Sequence, residues 1–428
     1  MTTAPANGTR TFDGVAYPDC AASSPTALGW MQGAPPPLAR QIRFEDDRFL
    51  NFPEIRWTLS HLRELMPTVN VPRGDAPASD LGPVDPATQQ AIDALTFTDL
   101  NGVHRSWASS LPATYIDGIV VLHRGRRVYE QYAGALQPSG AHACFSVTKS
   151  YAATLAATLV HEGVLDDQQT VPHYLPEMAH TAYADATLRQ VLDMQVGVAF
   201  SEAYDDRSAP FWDYARAGGF VPRPPGYSGP ATFHDYLRTL KKSGAHGQAF
   251  AYKTVNTEVL CWLMQRVTGE PLASALSRRL WSPLGCEQDA CLTVDASGTA
   301  FGGAGLSASL RDVARFGELM RCGGARGSQQ VLLEAVVADI ARGADPARFT
   351  AAGYTLLPGY SYRNMWWVAP AATGVFEARG IHGQRLSVSP RQEWVVARFA
   401  SHPIAASAAN DPITLPAFAA LGAFLSRQ

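Results

Sequence analysis

The stretch HACFSVTKSYAATLAATLVHEG, residues 142–163, decides the fold and the chemistry predicted for this chain. A turn of small residues leads into SVTK at 146–149, and apolar residues then recur at helical spacing until Gly163 ends the pattern. Residues three apart share one face of a helix, so Ser146 and Lys149 are predicted to lie within hydrogen-bonding reach. A serine hydroxyl is a weak nucleophile until a base removes its proton. The spacing therefore predicts a serine nucleophile served by a lysine.

Lysine is an unusual base, because its ordinary pKa of about 10.4 keeps it charged at neutral pH. Burial against the apolar side of the helix, and the positive helix N-terminus, would both lower the pKa of Lys149. The alternative is that Ser146 merely caps the helix and Lys149 is a solvated residue of its first turn. The chain has only four lysines, at positions 149, 241, 242 and 253, and arginine supplies the rest of its positive charge. Because arginine cannot lose its proton, a lysine retained at position 149 favours the interpretation as a base.

Three further motifs follow along the chain: LDMQ at residues 192–195, AYKTVNT at 251–257 and GIHGQ at 380–384. Together with FSVTKS at 145–150, they resemble the serine β-lactamase and penicillin-recognising superfamily. Within it, the chain is most similar to the 6-aminohexanoate-dimer (nylon oligomer) hydrolases and to class C-like esterases. The resemblance runs from about Phe49 to the C-terminus, with the four motifs in the order of the superfamily.

Tyr252 is the second catalytic candidate, and the resemblance implies its role. Its hydroxyl would relay a proton between Ser146, Lys149 and the leaving group, unless it is a half-buried tyrosine satisfied elsewhere. Asn256 belongs to the same motif and is a candidate substrate-binding residue. Tyr204 matches a tyrosine that contacts the substrate amide in the dimer hydrolases, or else it is an ordinary loop aromatic.

The resemblance also implies an oxyanion hole near Gly380. In β-lactamases the corresponding edge strand carries Lys-Thr-Gly; Gly380 matches its glycine, so the Ile381 N–H would face the Ser146 N–H. The lysine of that motif falls on Ala378, which disfavours recognition of a β-lactam carboxylate. His382 is more readily a positioning or core histidine than a base, because a lysine and a tyrosine already fill that role.

A β-hairpin is predicted at residues 118–132, where two runs rich in β-branched and aromatic residues flank an Arg-Gly-Arg turn. Strands predicted near 365–368, 375–389 and 394–399 are expected to pair with it. A final apolar helix is predicted at about 415–425. The fold class is therefore α+β, of the serine β-lactamase-like type.

Two lobes are predicted from this arrangement. Residues 46–165 and 285–428 would form an α/β sandwich lobe, with an antiparallel sheet flanked by helices. Residues 166–284 would form a mostly helical lobe, with the active site between the two. Residues 1–45 are predicted to be an extended N-terminal arm.

Two features near the predicted site depart from the related enzymes. Residues 203–231 carry too much glycine and proline for a packed core element, so they are predicted to be a wall or lid of the active site. The part from Asp205 to Pro230 differs in length from the loop of the related enzymes. Gly303 falls where related enzymes place a substrate-contacting side chain.

Composition excludes several classes of protein. A net charge of −3 with 46% hydrophobic residues gives no reason to expect nucleic acid or a membrane as partner. The six cysteines show no metal-ligand spacing, so buried thiols, no metal and no cofactor are predicted. The N-terminal residues contain no apolar signal core, and a cytoplasmic location is the expectation. The oligomeric state, a homodimer included, stays open.

The predicted function is serine hydrolysis of amide bonds in short linear oligomers through an acyl-enzyme intermediate. One alternative is a short-chain carboxylesterase of the class C β-lactamase-like type, since the same residues cleave esters. A non-catalytic acyl-binding protein on the same fold is the other. The partner in every case is a small-molecule amide or ester.

Overall fold

The computed structural model describes residues 8–12 and 14–428. Within these residues, the largest sheet has seven antiparallel strands drawn from two distant parts of the chain. The Trp394–Ala400 strand pairs with Ile116–His123, which confirms that the C-terminal strands join the predicted hairpin. Across the sheet the strands run Ser361–Arg363, Trp366–Val368, Phe376–Arg379, Arg385–Ser389, Trp394–Ala400, Ile116–His123 and Arg126–Tyr132.

Both faces of this sheet are covered, because alternate residues of a strand point to opposite faces. Ile119 and Val121 pack into a cluster that includes Phe418 of the C-terminal helix. Val120 and Leu122 pack into the larger core, which contains the apolar side of the Val147–His161 helix. All four strand residues are fully buried, so the sheet forms a layer between two sets of helices.

A smaller sheet fixes the approach to the candidate site. Its strands, in order, are Thr68–Val71, Ala290–Thr293, Leu306–Ser309 and Ala141–Ala143. Just beyond the last of these, the Cys144 N–H donates to the Leu306 carbonyl at 2.8 Å. The start of the Val147–His161 helix is thereby held against the glycine-rich segment that precedes Leu306. The remaining strands form two-stranded pairs: Thr9–Phe12 with Val15–Pro18, Thr96–Thr98 with His104–Ser106, and Ala325–Arg326 with Gln329–Gln330.

The helices surround these sheets. The α-helices of the described chain are Pro25–Leu28, Ile55–Thr58, Leu62–Leu65, Pro86–Asp93, Trp107–Ala113, Val147–His161, Val171–Tyr174, Leu188–Leu192, Pro210–Ala217, Phe233–Leu237, Val255–Thr268, Leu272–Leu276, Ser282–Leu284, Leu310–Arg321, Glu334–Arg342, Pro346–Thr350 and Asp411–Leu425. A π-helical turn occupies Ser277–Trp281, and 3₁₀ turns occupy Leu38–Arg40, Phe44–Asp46, Pro176–Met178, Ile381–Gly383 and Ser407–Ala409. None of the helices in residues 8–12 and 14–428 is both long enough and apolar enough to cross a membrane.

The prediction that the glycine- and proline-rich segment 203–231 contains no packed core element is wrong. It contains the Pro210–Ala217 helix, in which Trp212 and Tyr214 are buried in the main core. Pro210 occupies the first turn of that helix, where proline is tolerated because its missing N–H has no helical partner. The composition of the whole segment therefore concealed a packed core element.

The predicted N-terminal arm lies partly outside the described residues, at 1–7 and 13. Its described part is not uniformly extended, because it contains the Thr9–Phe12 and Val15–Pro18 hairpin and the short Pro25–Leu28 helix. The strand predicted over 375–389 is also two strands, Phe376–Arg379 and Arg385–Ser389, interrupted by the Ile381–Gly383 turn. Four of the six free cysteines are buried, whereas Cys20 is half-buried and Cys322 is exposed.

Candidate active site

Ser146 and Lys149 meet at the start of the Val147–His161 helix. The Lys149 Nζ donates to Ser146 Oγ at 2.9 Å and to the Gly303 carbonyl at 2.7 Å. Ser146 makes no side-chain capping bond to the helix, and Lys149 is only 1% exposed. The amine is therefore a buried group aimed at the serine hydroxyl, not a solvated surface charge.

The residue before the serine has an uncommon backbone conformation. Phe145 has a φ of +44°, a left-handed value that is costly for a bulky side chain. Packing holds it there: Phe145 is 2% exposed and its ring lies 5.7 Å from the ring of His382. This sharp turn delivers Ser146 at the helix N-terminus, where the helix dipole favours negative charge.

Burial also sets the state of the lysine. Removal from water disfavours the charged amine and lowers the pKa of Lys149 from 10.5 to about 8. The carboxylates of Glu202 and Glu258 oppose this effect, but they do not overcome it. A substantial fraction of Lys149 is consequently neutral near physiological pH and able to accept a proton.

Tyr252 lies against the same pair of residues. The Lys149 Nζ is 5.1 Å from the centre of the Tyr252 ring, and burial raises the pKa of Tyr252 well above 10. The phenol is therefore protonated at neutral pH. Tyr204 is close by, and its hydroxyl donates to Glu202 Oε2 at 2.7 Å.

Gly380 brings a second backbone segment next to the serine. An added Cβ at Gly380 would lie 2.8 Å from the Cys144 oxygen and 3.2 Å from the Ser146 nitrogen, so no side chain fits without displacement. Among the described residues, the Ser146 and Ile381 N–H groups have no backbone acceptor. Two unengaged N–H groups beside a hydroxyl have the composition of an oxyanion hole.

A cavity of about 310 Å³ opens beside Ser146. Arg379 and Asp411 border it and pair with each other, and the Arg379 guanidinium lies 5.2 Å from the centre of the Trp367 ring. Gly380 and Ile381 also border it, as their predicted role requires. Most of the remaining wall is aromatic or aliphatic, formed by Tyr204, Tyr252, Tyr354, Leu356, Leu357 and Trp367.

The structure moves Asn256 away from its predicted role and defines the surroundings of His382 and Gly303. Asn256 is fully buried away from the cavity, where its Oδ1 accepts from the Tyr183 hydroxyl at 2.9 Å. His382 bonds through Nδ1 to the His402 carbonyl at 2.7 Å, and burial lowers its pKa to about 4, which matches a positioning role and not a base. Gly303 presents its carbonyl rather than a side chain, since an added Cβ would lie 2.3 Å from Thr254 Cγ2.

Sequence reasoning missed two carboxylates near the lysine. Glu202 accepts hydrogen bonds from the Tyr204 hydroxyl and the Thr254 N–H. Glu258 is 3% exposed and accepts from the Gly303 N–H at 2.7 Å. An acidic residue inside the strongly apolar 255–268 helix was the available signal for Glu258. Among the described residues, no group of three or more His, Cys, Asp or Glu could hold a metal ion.

The fold and the Ser146–Lys149 site agree with a match to a known protein family. A family model described as Beta-lactamase matches residues 112–418, and the chain belongs to the beta-lactamase family. It is a serine hydrolase of the beta-lactamase fold, which confirms both the resemblance seen in the motifs and the α+β fold class.

Individual relatives narrow the comparison. The chain is 33% identical over 388 residues to the 6-aminohexanoate-dimer hydrolase of Paenarthrobacter ureafaciens, covering 90% of this chain and 91% of that protein. A Bacillus anthracis structure, provisionally assigned as a 6-aminohexanoate-dimer hydrolase, superposes with a TM-score of 0.78 at 26% identity, covering 89% of this chain and 96% of its own. EstCE1, a hydrolase with promiscuous acyltransferase activity, shares the fold with a TM-score of 0.58 at 17% identity, covering 74% and 98%.

Proposed function

We propose that Ser146 is an acyl-transfer nucleophile with Lys149 as its general base. The neutral amine takes the Ser146 proton as Oγ bonds to the substrate carbonyl carbon. The Ser146 and Ile381 N–H groups donate to the resulting oxyanion. The observation that carries this assignment is the buried amine of lowered pKa, 2.9 Å from the serine hydroxyl.

Tyr252 completes the proton path in this mechanism. Its high pKa keeps the phenol protonated, so it suits a donor or relay and not a base. A proton passes from Lys149 through Tyr252 to the leaving nitrogen as the C–N bond breaks, and the leaving amine departs. Water then attacks the acyl carbon and gives a proton to Lys149, and the bond between the acyl carbon and Ser146 Oγ breaks. That proton returns to Ser146 Oγ as the carboxylic acid product leaves.

We propose a short linear amide, 6-aminohexanoate linear dimer in the first instance, as the substrate class. The name of the Paenarthrobacter relative supports this choice. The cavity does so as well, because its aromatic and aliphatic wall suits polymethylene chains.

The experiment that tests the proposed function compares two substrates. Purified wild type is incubated with 6-aminohexanoate linear dimer and with p-nitrophenyl butyrate, and released 6-aminohexanoate and p-nitrophenol are measured. Multiple turnovers of the dimer are expected. Turnover of the ester alone would replace the amide assignment by a carboxylesterase, whereas a single stoichiometric burst would indicate an acyl-binding protein.

The pH dependence of the rate follows from the lysine. Because only the neutral amine accepts the serine proton, kcat/KM is expected to rise about ten-fold per pH unit below about 8 and to level off above it. Stopped assays of the amide from pH 5.5 to 9.5 check this, with circular dichroism at each pH as the control for folding. A rate independent of pH across this range would contradict a lysine base.

A further inference from the structure

Glu258 is linked to the Lys149 amine through one residue, Gly303, whose N–H and carbonyl belong to two consecutive peptide units. The Gly303 carbonyl accepts from the Lys149 amine at 2.7 Å, while the Gly303 N–H donates to Glu258 Oε1 at 2.7 Å. The Gly302 N–H donates to the other oxygen, Oε2, at 3.2 Å. Both oxygens of the buried Glu258 carboxylate therefore bind the backbone of residues 302–303, and the Gly303 carbonyl in turn binds the Lys149 amine.

A further donor orients the carboxylate from another helix. The Tyr214 hydroxyl, on the Pro210–Ala217 helix, donates to Glu258 Oε1 at 2.8 Å. Burying an ionised carboxylate is expensive unless hydrogen bonds and an opposite charge offset the cost. Here the three donors and the nearby lysine amine offset part of that cost.

Gly302 and Gly303 both lie too close to neighbouring side chains for either position to carry a Cβ. A Cβ added at Gly303 would lie 2.7 Å from Glu258 Oε1, and one added at Gly302 would lie 2.3 Å from Cys261 Sγ. The backbone can come this close to Glu258 and Cys261 only because these positions carry no side chain.

Glu258 also borders a second cavity of about 620 Å³, which shares no lining residue with the cavity at Ser146. The two cavities are therefore separate, and Glu258 does not line the candidate substrate site. Within residues 8–12 and 14–428, the titratable groups that face the lysine besides Glu258 are Glu202, Tyr252 and Cys261. Burial raises the pKa values of Tyr252 and Cys261, and of Tyr214 beside Glu258, so these three groups are neutral at pH 7 to 8.

We propose that Glu258 is a positioning residue for Lys149, which fixes the Gly303 carbonyl against the amine and through its charge sets the pH at which that amine becomes a base. The inference rests on the proposed function of Lys149. Burial raises the pKa of Glu258 to about 7, so the carboxyl is mostly ionised where Lys149 titrates. Its negative charge favours the protonated amine, and loss of that charge lowers the pKa of Lys149.

The test exploits the four lysines of the chain. Protein labelled with ¹³C at lysine Cε gives four signals, and the Lys149 signal is assigned by its loss in Lys149→Met. In wild type this signal is expected to titrate at about pH 8. In Glu258→Gln the midpoint falls by about one pH unit. Glu270→Gln is the matched control, because Glu270 borders the same 620 Å³ cavity as Glu258 but pairs with Arg278. In this variant the Lys149 midpoint is expected to stay at the wild-type value.

Kinetics give the second readout. In Glu258→Gln the rising limb of kcat/KM moves to lower pH together with the NMR midpoint, and the plateau falls about ten-fold as the Gly303 carbonyl loses its anchor. If Glu258→Gln does not fold, Tyr214→Phe is used instead. It removes one donor to the ionised carboxylate, so the pKa of Glu258 rises and the Lys149 midpoint again falls, by less.

The outcomes separate this inference from the proposed function. The proposal is wrong if the Lys149 midpoint in Glu258→Gln equals that of wild type. The same holds for Tyr214→Phe where that variant is used. Glu258 would then only stabilise the local structure, without control of the Lys149 pKa. If wild type turns over neither the amide nor the ester, the proposed function fails. The NMR titration needs no substrate and still decides whether Glu258 controls the amine.

Discussion

Replacement of Ser146 by alanine is expected to lower kcat for the amide by about 10⁴-fold or more, while the protein stays folded. The change removes the only atom proposed to bond to the substrate carbonyl. Lys149 keeps its bond to the Gly303 carbonyl, so the buried amine is not left without a partner. The loss of one hydrogen bond changes the free energy of unfolding by about 1 kcal/mol. Initial rates with the amide, together with thermal unfolding, measure both effects.

Ser150→Ala is the matched control for this prediction. Ser150 lies one turn further along the chain and is also buried, but its Oγ donates to the Met365 carbonyl at 2.8 Å instead of facing the cavity. Its kcat is expected to stay within a few-fold of wild type. A fluorophosphonate should label wild type and Ser150→Ala, but not Ser146→Ala. Near-normal turnover by Ser146→Ala would rule out the serine mechanism.

The parts of the fold and site that could be predicted from the sequence are governed by local rules. The Ser146–Lys149 contact follows from helical spacing, and the hairpin follows from alternation around a glycine turn. The end of the Val255–Thr268 helix falls at Gly269, whose φ of +69° suits glycine. In each case the deciding residues lie within a few positions of one another.

The missed parts depend on contacts between distant segments. The Gly303 carbonyl reaches Lys149 across 154 positions, and Tyr214 reaches Glu258 across 44. No periodicity encodes such pairings. Asn256 is predicted to bind substrate because it belongs to the same motif as Tyr252. The helix that begins at Val255 instead directs the Asn256 side chain towards Tyr183. Motif spacing was thus enough to place Ser146 and Lys149 together. The neighbours that change the pKa of Lys149 depend on how distant segments pack.

Glu202 and Glu258 show why the lysine environment needs the folded chain. Burial alone would lower the pKa of Lys149 further, and the two carboxylates raise it back to about 8. One carboxylate lies in the segment before the Pro210–Ala217 helix, and the other lies inside the Val255–Thr268 helix. The working pH of the proposed base therefore depends on two helices and on the separate segment that carries Glu202.

Replacement of Lys149 by methionine is expected to lower kcat/KM by about 10⁴-fold, because no other neutral amine is near Ser146 in the described residues. Lys253→Met is the matched control, since Lys253 is a half-buried neighbour of Tyr252 whose amine donates to the Val198 carbonyl, away from the serine. Its activity is expected to stay within about ten-fold of wild type. Comparable losses of kcat/KM in both variants would show that loss of either lysine lowers activity, and would contradict the assignment of Lys149 as the specific base.

The same methionine variant is expected to be more stable than wild type at neutral pH. A fall of the Lys149 pKa from 10.5 in the unfolded chain to about 8 in the folded one corresponds to a cost of about 3 kcal/mol. The cost is fully present below pH 8 and disappears as the pH rises through 10.5, because the unfolded state then loses its proton too. Methionine removes that cost but gives up the bond to Gly303, worth about 1 kcal/mol, which leaves a gain of about 2 kcal/mol at pH 7. Urea unfolding at pH 7 and pH 10 measures the difference, which should shrink or reverse at the higher pH. A variant less stable than wild type at pH 7 would mean that the lysine is retained for the fold and not for its chemistry.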